Sequence, residues 1–388
     1  MSARVQSIDI LRGAVMIVMA LDHIRDFLHS AAQSFSPDDL SRTTATLFFT
    51  RWITHFCAPV FMLTAGLGVF LWAQRDKSPA ELSRFLWTRG AWLVLLELTV
   101  VRLGFNFNFD YHFILLNVIW ALGGCMIGLA LLVRLPWRVF AGLSCGMILL
   151  HNLADGVDAA QFGRAAWIWN ELHQLGTFKL GGSTIQIAYP LIPWIGVMGA
   201  GFCLGRVYLW EPARRRRFLI RMGLGLTAGF VLVRALNVYG DPAPWSVQPT
   251  PLFTLLSFLR CSKYPPSLDF LLMTLGPALL ALGFLDRVTV ARANPFLIFG
   301  RVPLFYFVVH LYLIHALAAF LAFLRYGAGR FLLNPLPSMG GPAYPSGYGY
   351  ELWVVYVAWI GIVLSLYPLC RWFAGVKQRR RDWWLSYV

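Results

Sequence analysis

Arg12 and His23 stand eleven residues apart in an apolar stretch, 8–29, that also holds Asp9, Asp22, Arg25, Asp26 and His29. On a helix that spacing is three turns plus roughly 20°, so the two side chains share a face, about 16 Å apart along the axis. Asp26, three residues past His23, comes within reach of its ring. A histidine oriented by a carboxylate is a general-base arrangement. A second set runs from Gly300-Arg301-Val302-Pro303 through Tyr306 and His310 to His315. Tyr306 and His310 share a face, whereas His310 and His315 lie about 140° apart and should not both point at one small site. His55 closes the set, just ahead of Pro59. The candidate catalytic residues are therefore His23, Asp26, His310 and His55. Arg12 and Arg301 stand near one end of their two stretches.

The elements that must hold these residues follow from composition. Of 388 residues 58% are hydrophobic and only 13% charged, with mean hydropathy +0.62. Soluble domains carry about 25% charged residues, so this is the composition of a membrane protein. A bilayer crossing takes about 20 mostly apolar residues. Ten stretches qualify: 8–29, 52–73, 86–105, 113–133, 137–152, 187–209, 218–238, 268–285, 296–323 and 351–373. The expected fold is all-α, a polytopic integral membrane protein of about ten transmembrane helices. Basic residues fall on alternate connections: Arg75, Lys77, Arg84 and Arg89; Arg134 and Arg138; Arg214 to Arg217; Arg287 and Arg292; then Lys377, Arg379, Arg380 and Arg381. The opposite connections hold few, among them Arg42, Arg260 and Lys263. The positive-inside rule then puts both termini in the cytoplasm. The net charge of +15 is explained by topology and calls for no nucleic acid. The run Arg214–Arg217 reads as a topology anchor or lipid contact, with a coenzyme-phosphate site as the alternative.

No connection between spans exceeds about 35 residues, so residues 1–388 read as one domain ending in a basic cytoplasmic tail, 376–388. The long outer connections 153–186, 239–267 and 324–350 are rich in Gly, Pro and aromatic residues and read as ordered caps. The six cysteines show no metal-ligand spacing, and no metal is expected. Gly142-Leu143-Ser144-Cys145-Gly146 matches a hydrolase pattern that needs a strained strand-to-helix turn, but it lies inside an apolar helix and reads as packing. Small-residue pairs such as Gly124–Gly128 and Gly201–Gly205 permit close helix approach and allow, without requiring, a homodimer.

Ionisable groups inside a span cost at least about 2.5–3.5 kcal/mol each, which makes them functional candidates. Structural hydrogen bonding between helices and proton-coupled transport are the alternatives to catalysis. The motifs around these groups favour catalysis. Ser7-Ile8-Asp9-Ile10-Leu11-Arg12-Gly13 resembles the start of the heparan-alpha-glucosaminide N-acetyltransferase catalytic domain family and its bacterial relatives. More distantly, Arg12 and His23 resemble the Arg-x10-His arrangement of the acyltransferase-3 family. Pro59–Gly66, Tyr189–Met198, Lys263–Leu268 and Gly300–His310 resemble later motifs, in order, over about residues 5–375. The resemblance implies transfer of an acetyl or short acyl group from cytosolic acyl-CoA, a co-substrate rather than a resident cofactor, with Arg12 and Arg301 as the cofactor-binding residues that would neutralise its phosphates. The implied acceptor is a carbohydrate or other group outside a bacterial inner membrane. The heparan enzymes carry asparagine in place of His23 and a histidine in the following loop, where this chain offers only His29 before His55.

Overall fold

The computed structural model describes residues 5–75, 77–337, 341–380 and 382–387; Arg381 of the expected tail lies outside them. Each of the ten apolar stretches contains a helix. Main-chain groups away from water must be satisfied within their own segment, and a helix does this locally. The principal helices are α1 (Gln6–Leu28), α2 (Ala45–Ala73), α3 (Pro79–Leu96), α4 (Val118–Leu132), α5 (Trp137–Leu150), α6 (Leu191–Leu204), α7 (Pro212–Leu236), α8 (Leu268–Leu285), α9 (Pro303–Tyr326) and α10 (Leu352–Arg379).

Among the described residues, six helices are long and apolar enough to cross a membrane: α2, α6 with its extension to Leu209, α7, α8, α9 and α10. The pair Trp137–Ala154 and Ala159–Leu172, bent by 109°, would make a seventh if it formed one span. The other helices stand where the sequence puts them but fall short on charge or length. α1 carries five charged residues, Asp9, Arg12, Asp22, Arg25 and Asp26, and α4 has only 15 residues.

The fold departs from the all-α expectation at one end. Phe113–Leu116 (β1), Gly176–Leu180 (β2) and Ser183–Ile187 (β3) form a sheet in the order β1-β3-β2, with β3 parallel to β1 and antiparallel to β2. The fourth stretch therefore opens as a strand, and its helix begins at Val118. An apolar run as short as Phe113-Ile114-Leu115-Leu116 fits either structure, and pairing with β3 decides it. Gly181, at φ 59°, makes the tight turn between β2 and β3.

The long connections interlock on this end of the bundle. Ser30 donates its N–H to the Tyr350 carbonyl (3.1 Å), and His151 Nε2 donates to the Pro266 carbonyl (2.8 Å). The basic connections meet at the other end, where Arg215 pairs with Asp286 (2.9 Å) and Trp92 Nε1 donates to the Tyr387 carbonyl (3.2 Å).

Two backbone crossings fix the centre. A Cβ on Gly13 would overlap the Phe296 carbonyl, and one on Gly300 would overlap that of Asp9, which clamps α1 to the short helix Pro295–Arg301. α2 and α6 cross in the same way, with Gly66 against the Met198 carbonyl and Gly201 against that of Leu63. Glycines of the recurrent motifs are thus contact points between backbones. Gly13→Val and Gly66→Val should each lower the melting temperature of the detergent-purified protein, through an overpacking cost of about 1–3 kcal/mol. Gly142→Val is the control, since nothing lies within 4 Å of its added carbon.

Candidate catalytic site

Two cavities, named inner for the end of the basic connections and outer for the end of the long ones, share Phe61 and Val118 as walls. The inner one, about 300 Å³, is lined by Arg12, Arg89, Thr64, Trp72, Phe85 and apolar groups that include Phe307. The outer one, about 610 Å³, is lined by Asp22, His23, Arg25, Asp26, Arg51 and Lys263, with Tyr189, Tyr264, Gln186 and Phe105. β1 and β3 lead into its wall through Leu115, Asn117 and Gln186, which is the sheet's bearing on the site.

α1 supplies both ends of the path. Arg12 opens onto the inner cavity, donates to the Thr64 carbonyl (3.2 Å) and lies 3.9 Å from Asp9. His23 opens onto the outer cavity and packs edge-on to Phe105 and Phe307, with ring centroids 5.7 and 6.0 Å away. Since Phe307 also lines the inner cavity, His23 stands at the partition.

Hydrogen bonding fixes the tautomer of His23. His310 is fully buried on α9, and its Nδ1 lies 3.0 Å from the Tyr306 carbonyl one turn earlier. A carbonyl only accepts, so that nitrogen carries a proton. In the neutral ring Nε2 then holds a lone pair, and it lies 2.7 Å from His23 Nδ1. His23 Nδ1 must be the donor, which leaves the lone pair of His23 on Nε2. A proton taken there converts His23 to a cation that still donates to His310, so the dyad accepts charge without rearranging.

Two carboxylates and three cations surround the dyad. Asp22 meets Arg51 at 2.6 Å and Arg25 at 2.8 Å, while Asp26 meets Arg25 at 2.6 Å. The sequence assigns the orienting role to Asp26; in the structure His310 occupies His23 Nδ1 and Asp26 faces Arg25. Both nitrogens of His310 are engaged, which makes it a partner of the base.

Other expected residues lie elsewhere. His55 is buried against Phe270, with ring centroids 5.3 Å apart, and is not among the described residues lining either cavity. Arg301 ends the helix that packs on α1 but does not line the inner cavity, where Arg89 of α3 joins Arg12. His29 accepts from the Ala31 N–H (3.2 Å) and caps a turn. His315 points away from His310, as its angle requires, with ring nitrogens 2.9 Å from the Gly104 and Leu332 carbonyls. Ser144 donates to the Phe140 carbonyl (2.9 Å) beneath Gly199, so the hydrolase-like pattern is a packing contact. Ser144→Ala should leave any activity unchanged, measured beside wild type at equal folded protein.

Arg89 and Lys263 are the residues that sequence reasoning missed. Both were read as loop cations, although Arg89 lies inside the stretch 86–105, and an ion within a span is itself a signal.

The family model of the heparan-alpha-glucosaminide N-acetyltransferase catalytic domain matches residues 4–239. The chain belongs to this family. A comparison with proteins of curated function returned no match. The heparan-alpha-glucosaminide N-acetyltransferase match runs from α1 to the end of α7 and includes Arg12, His23, Asp26 and Arg89. Lys263, Arg301 and His310 lie beyond it, so the partner of His23 comes from outside the matched region. Membership makes the chain a transferase-family membrane protein and agrees with its apolar helices.

Proposed function

We propose that this protein moves an acetyl or short acyl group from cytosolic acyl-CoA to a sugar or other acceptor outside a bacterial inner membrane. In this reading about ten helices cross the bilayer and both termini are cytoplasmic, as the alternation of basic connections supports. The observation that carries it is the pair of cavities on one helix face, with arginines at one end and an oriented histidine base at the other.

Arg12 and Arg89 attract the phosphates of the coenzyme from the inner side. No carboxylate lines that cavity among the described residues. The pantetheine arm carries the thioester to the partition at Phe61, Val118 and Phe307. An acceptor hydroxyl or amine in the outer cavity gives its proton to His23 Nε2 as its oxygen or nitrogen attacks the thioester carbon. Collapse of the tetrahedral adduct breaks the carbon–sulfur bond, and the leaving thiolate recovers the proton from His23. His310 holds the His23 tautomer throughout and stabilises the transient cation.

Stabilisation by coenzyme A tests the donor half. At 100 times its dissociation constant a ligand adds about 2.7 kcal/mol of stability, a readable thermal shift. Arg12→Gln and Arg89→Gln should each weaken that binding by at least about tenfold, through loss of a charged hydrogen bond. Proton-coupled transport is the second reading, supported by the histidine dyad that lies between the two cavities; it requires pH-driven uptake and no shift with coenzyme A in folded protein.

A further inference from the structure

We propose that Asn117 is a further catalytic residue, whose side-chain amide donates to the thioester oxygen as negative charge develops there. This rests on the transferase reading and adds a group to its site. Transfer needs such a donor, and the histidine dyad cannot be it. His310 has both ring nitrogens engaged, and His23 Nε2 must keep its lone pair for the incoming proton. The cations of the outer cavity are engaged as well: Arg25, Arg51 and Lys263 lie against Asp22, and Arg25 also against Asp26.

Asn117 stands between β1 and α4, lines the outer cavity and precedes Val118, a wall shared by both cavities. It is the N-cap residue of α4, where an asparagine ordinarily turns its side chain onto the first-turn N–H groups. Here Glu97 makes that bond instead. After α3 the chain widens by one residue, with the Arg102 N–H reaching back to the Glu97 carbonyl, and the Glu97 carboxylate accepts from the Trp120 N–H (2.9 Å). The Asn117 side chain makes no cap bond, and no hydrogen bond to its amide occurs among the described residues. Its backbone is held on both sides. The Ala188 N–H donates to the Leu116 carbonyl (3.1 Å), and Gly90 and Gly123 let α3 and α4 touch through their backbones. A fixed backbone that carries an unengaged amide beside the partition is the preorganisation that oxyanion stabilisation requires. In the step, the acceptor atom bonds to the thioester carbon, its proton passes to His23, and the carbonyl π pair moves onto oxygen, where Asn117 Nδ2–H donates. The pair returns as the carbon–sulfur bond breaks, and the sulfur takes the proton from His23.

The test uses full-length, detergent-purified Asn117→Ala protein and acetyl-CoA isotope-labelled at its carbonyl. Because Glu97 caps α4, the variant should melt with wild type and bind acetyl-CoA equally. The turnover number should fall about 10²- to 10³-fold with the donor KM unchanged. In infrared spectra taken without acceptor, the bound carbonyl should absorb at higher frequency in the variant than in wild type, since a hydrogen bond to oxygen weakens the carbonyl bond. If Asn117→Ala does not fold, Asn117→Leu, similar in shape but without donors, takes the same readouts. Wild-type turnover in the folded variant, or an unmoved carbonyl band, overturns the inference while transfer by the wild type keeps the transferase reading. A loss of transfer matched by lost acetyl-CoA binding also overturns it. A wild type that neither binds acetyl-CoA nor transfers its acyl group ends the transferase reading and the inference together.

Discussion

His23→Ala lowers acyl transfer by about 10²- to 10⁴-fold, the usual contribution of a positioned base, while stabilisation by coenzyme A persists. The split follows from geometry. His23 lines the outer cavity, and the two arginines proposed to attract the coenzyme line the inner one. Removing the imidazole deletes a ring that lines the outer cavity and whose tautomer a buried partner holds. His310→Phe tests the partner separately. The ring volume is kept, the acceptor for His23 Nδ1–H is lost, and the tautomer is no longer specified. The turnover number should fall with the donor KM unchanged, and the pH profile of transfer should move because the base has lost its partner. Full transfer by folded His23→Ala would remove the assignment outright.

Arg234→Ala should cost about 3–5 kcal/mol, the largest stability effect expected from one substitution, because it strands buried polar groups. Arg234 is 2% exposed near the end of α7. Its guanidinium donates to the carbonyls of Phe258 (3.0 Å), Ala243 (3.0 Å), Ser257 (3.2 Å) and Arg260 (2.6 Å). Asp241 and Asp269 lie 3.8 and 3.7 Å from it. Asp241 in turn accepts from the Ser262 N–H (2.7 Å) and the Ser267 hydroxyl (2.6 Å), the two residues that bracket Lys263 and Tyr264. The planar fork serves several carbonyls at once, which one ammonium cannot reproduce, so Arg234→Lys should also lose stability. Thermal denaturation reads the loss; melting within a degree of wild type would mean that the cap has another anchor.

How much of this the sequence disclosed depends on the range of the interaction concerned. Arg12 and His23 on one face follow from helical period alone, and so does the divergence of His310 and His315. The meeting of His23 with His310 joins residues 287 positions apart and needs α9 to pack on α1, which no local pattern encodes. Asp26 was the carboxylate one helical turn past His23, yet Arg25 beside it took the carboxylate in space. His55 has the right residue type at the edge of a span, but its ring turns to Phe270. The motif glycines Gly13, Gly66 and Gly300 were visible, although their purpose emerged only when each was seen against a neighbouring carbonyl. The strand at 113–116 was hidden inside a stretch apolar enough to pass for the start of a helix. Lys263 sat in a motif that carried the resemblance, but its burial depends on how Arg234 and Asp241 fold the loop around it.

Transfer across a sealed membrane tests the central proposal most directly. The protein is reconstituted in vesicles, radiolabelled acetyl-CoA is added on the side of the basic connections, and amino and uronic sugars are enclosed on the other. Label should appear on an enclosed sugar, require His23, and fall when Arg12 and Arg89 are replaced. Folded protein that labels no enclosed sugar, or that drives pH-dependent sugar uptake without acetyl-CoA, would contradict it.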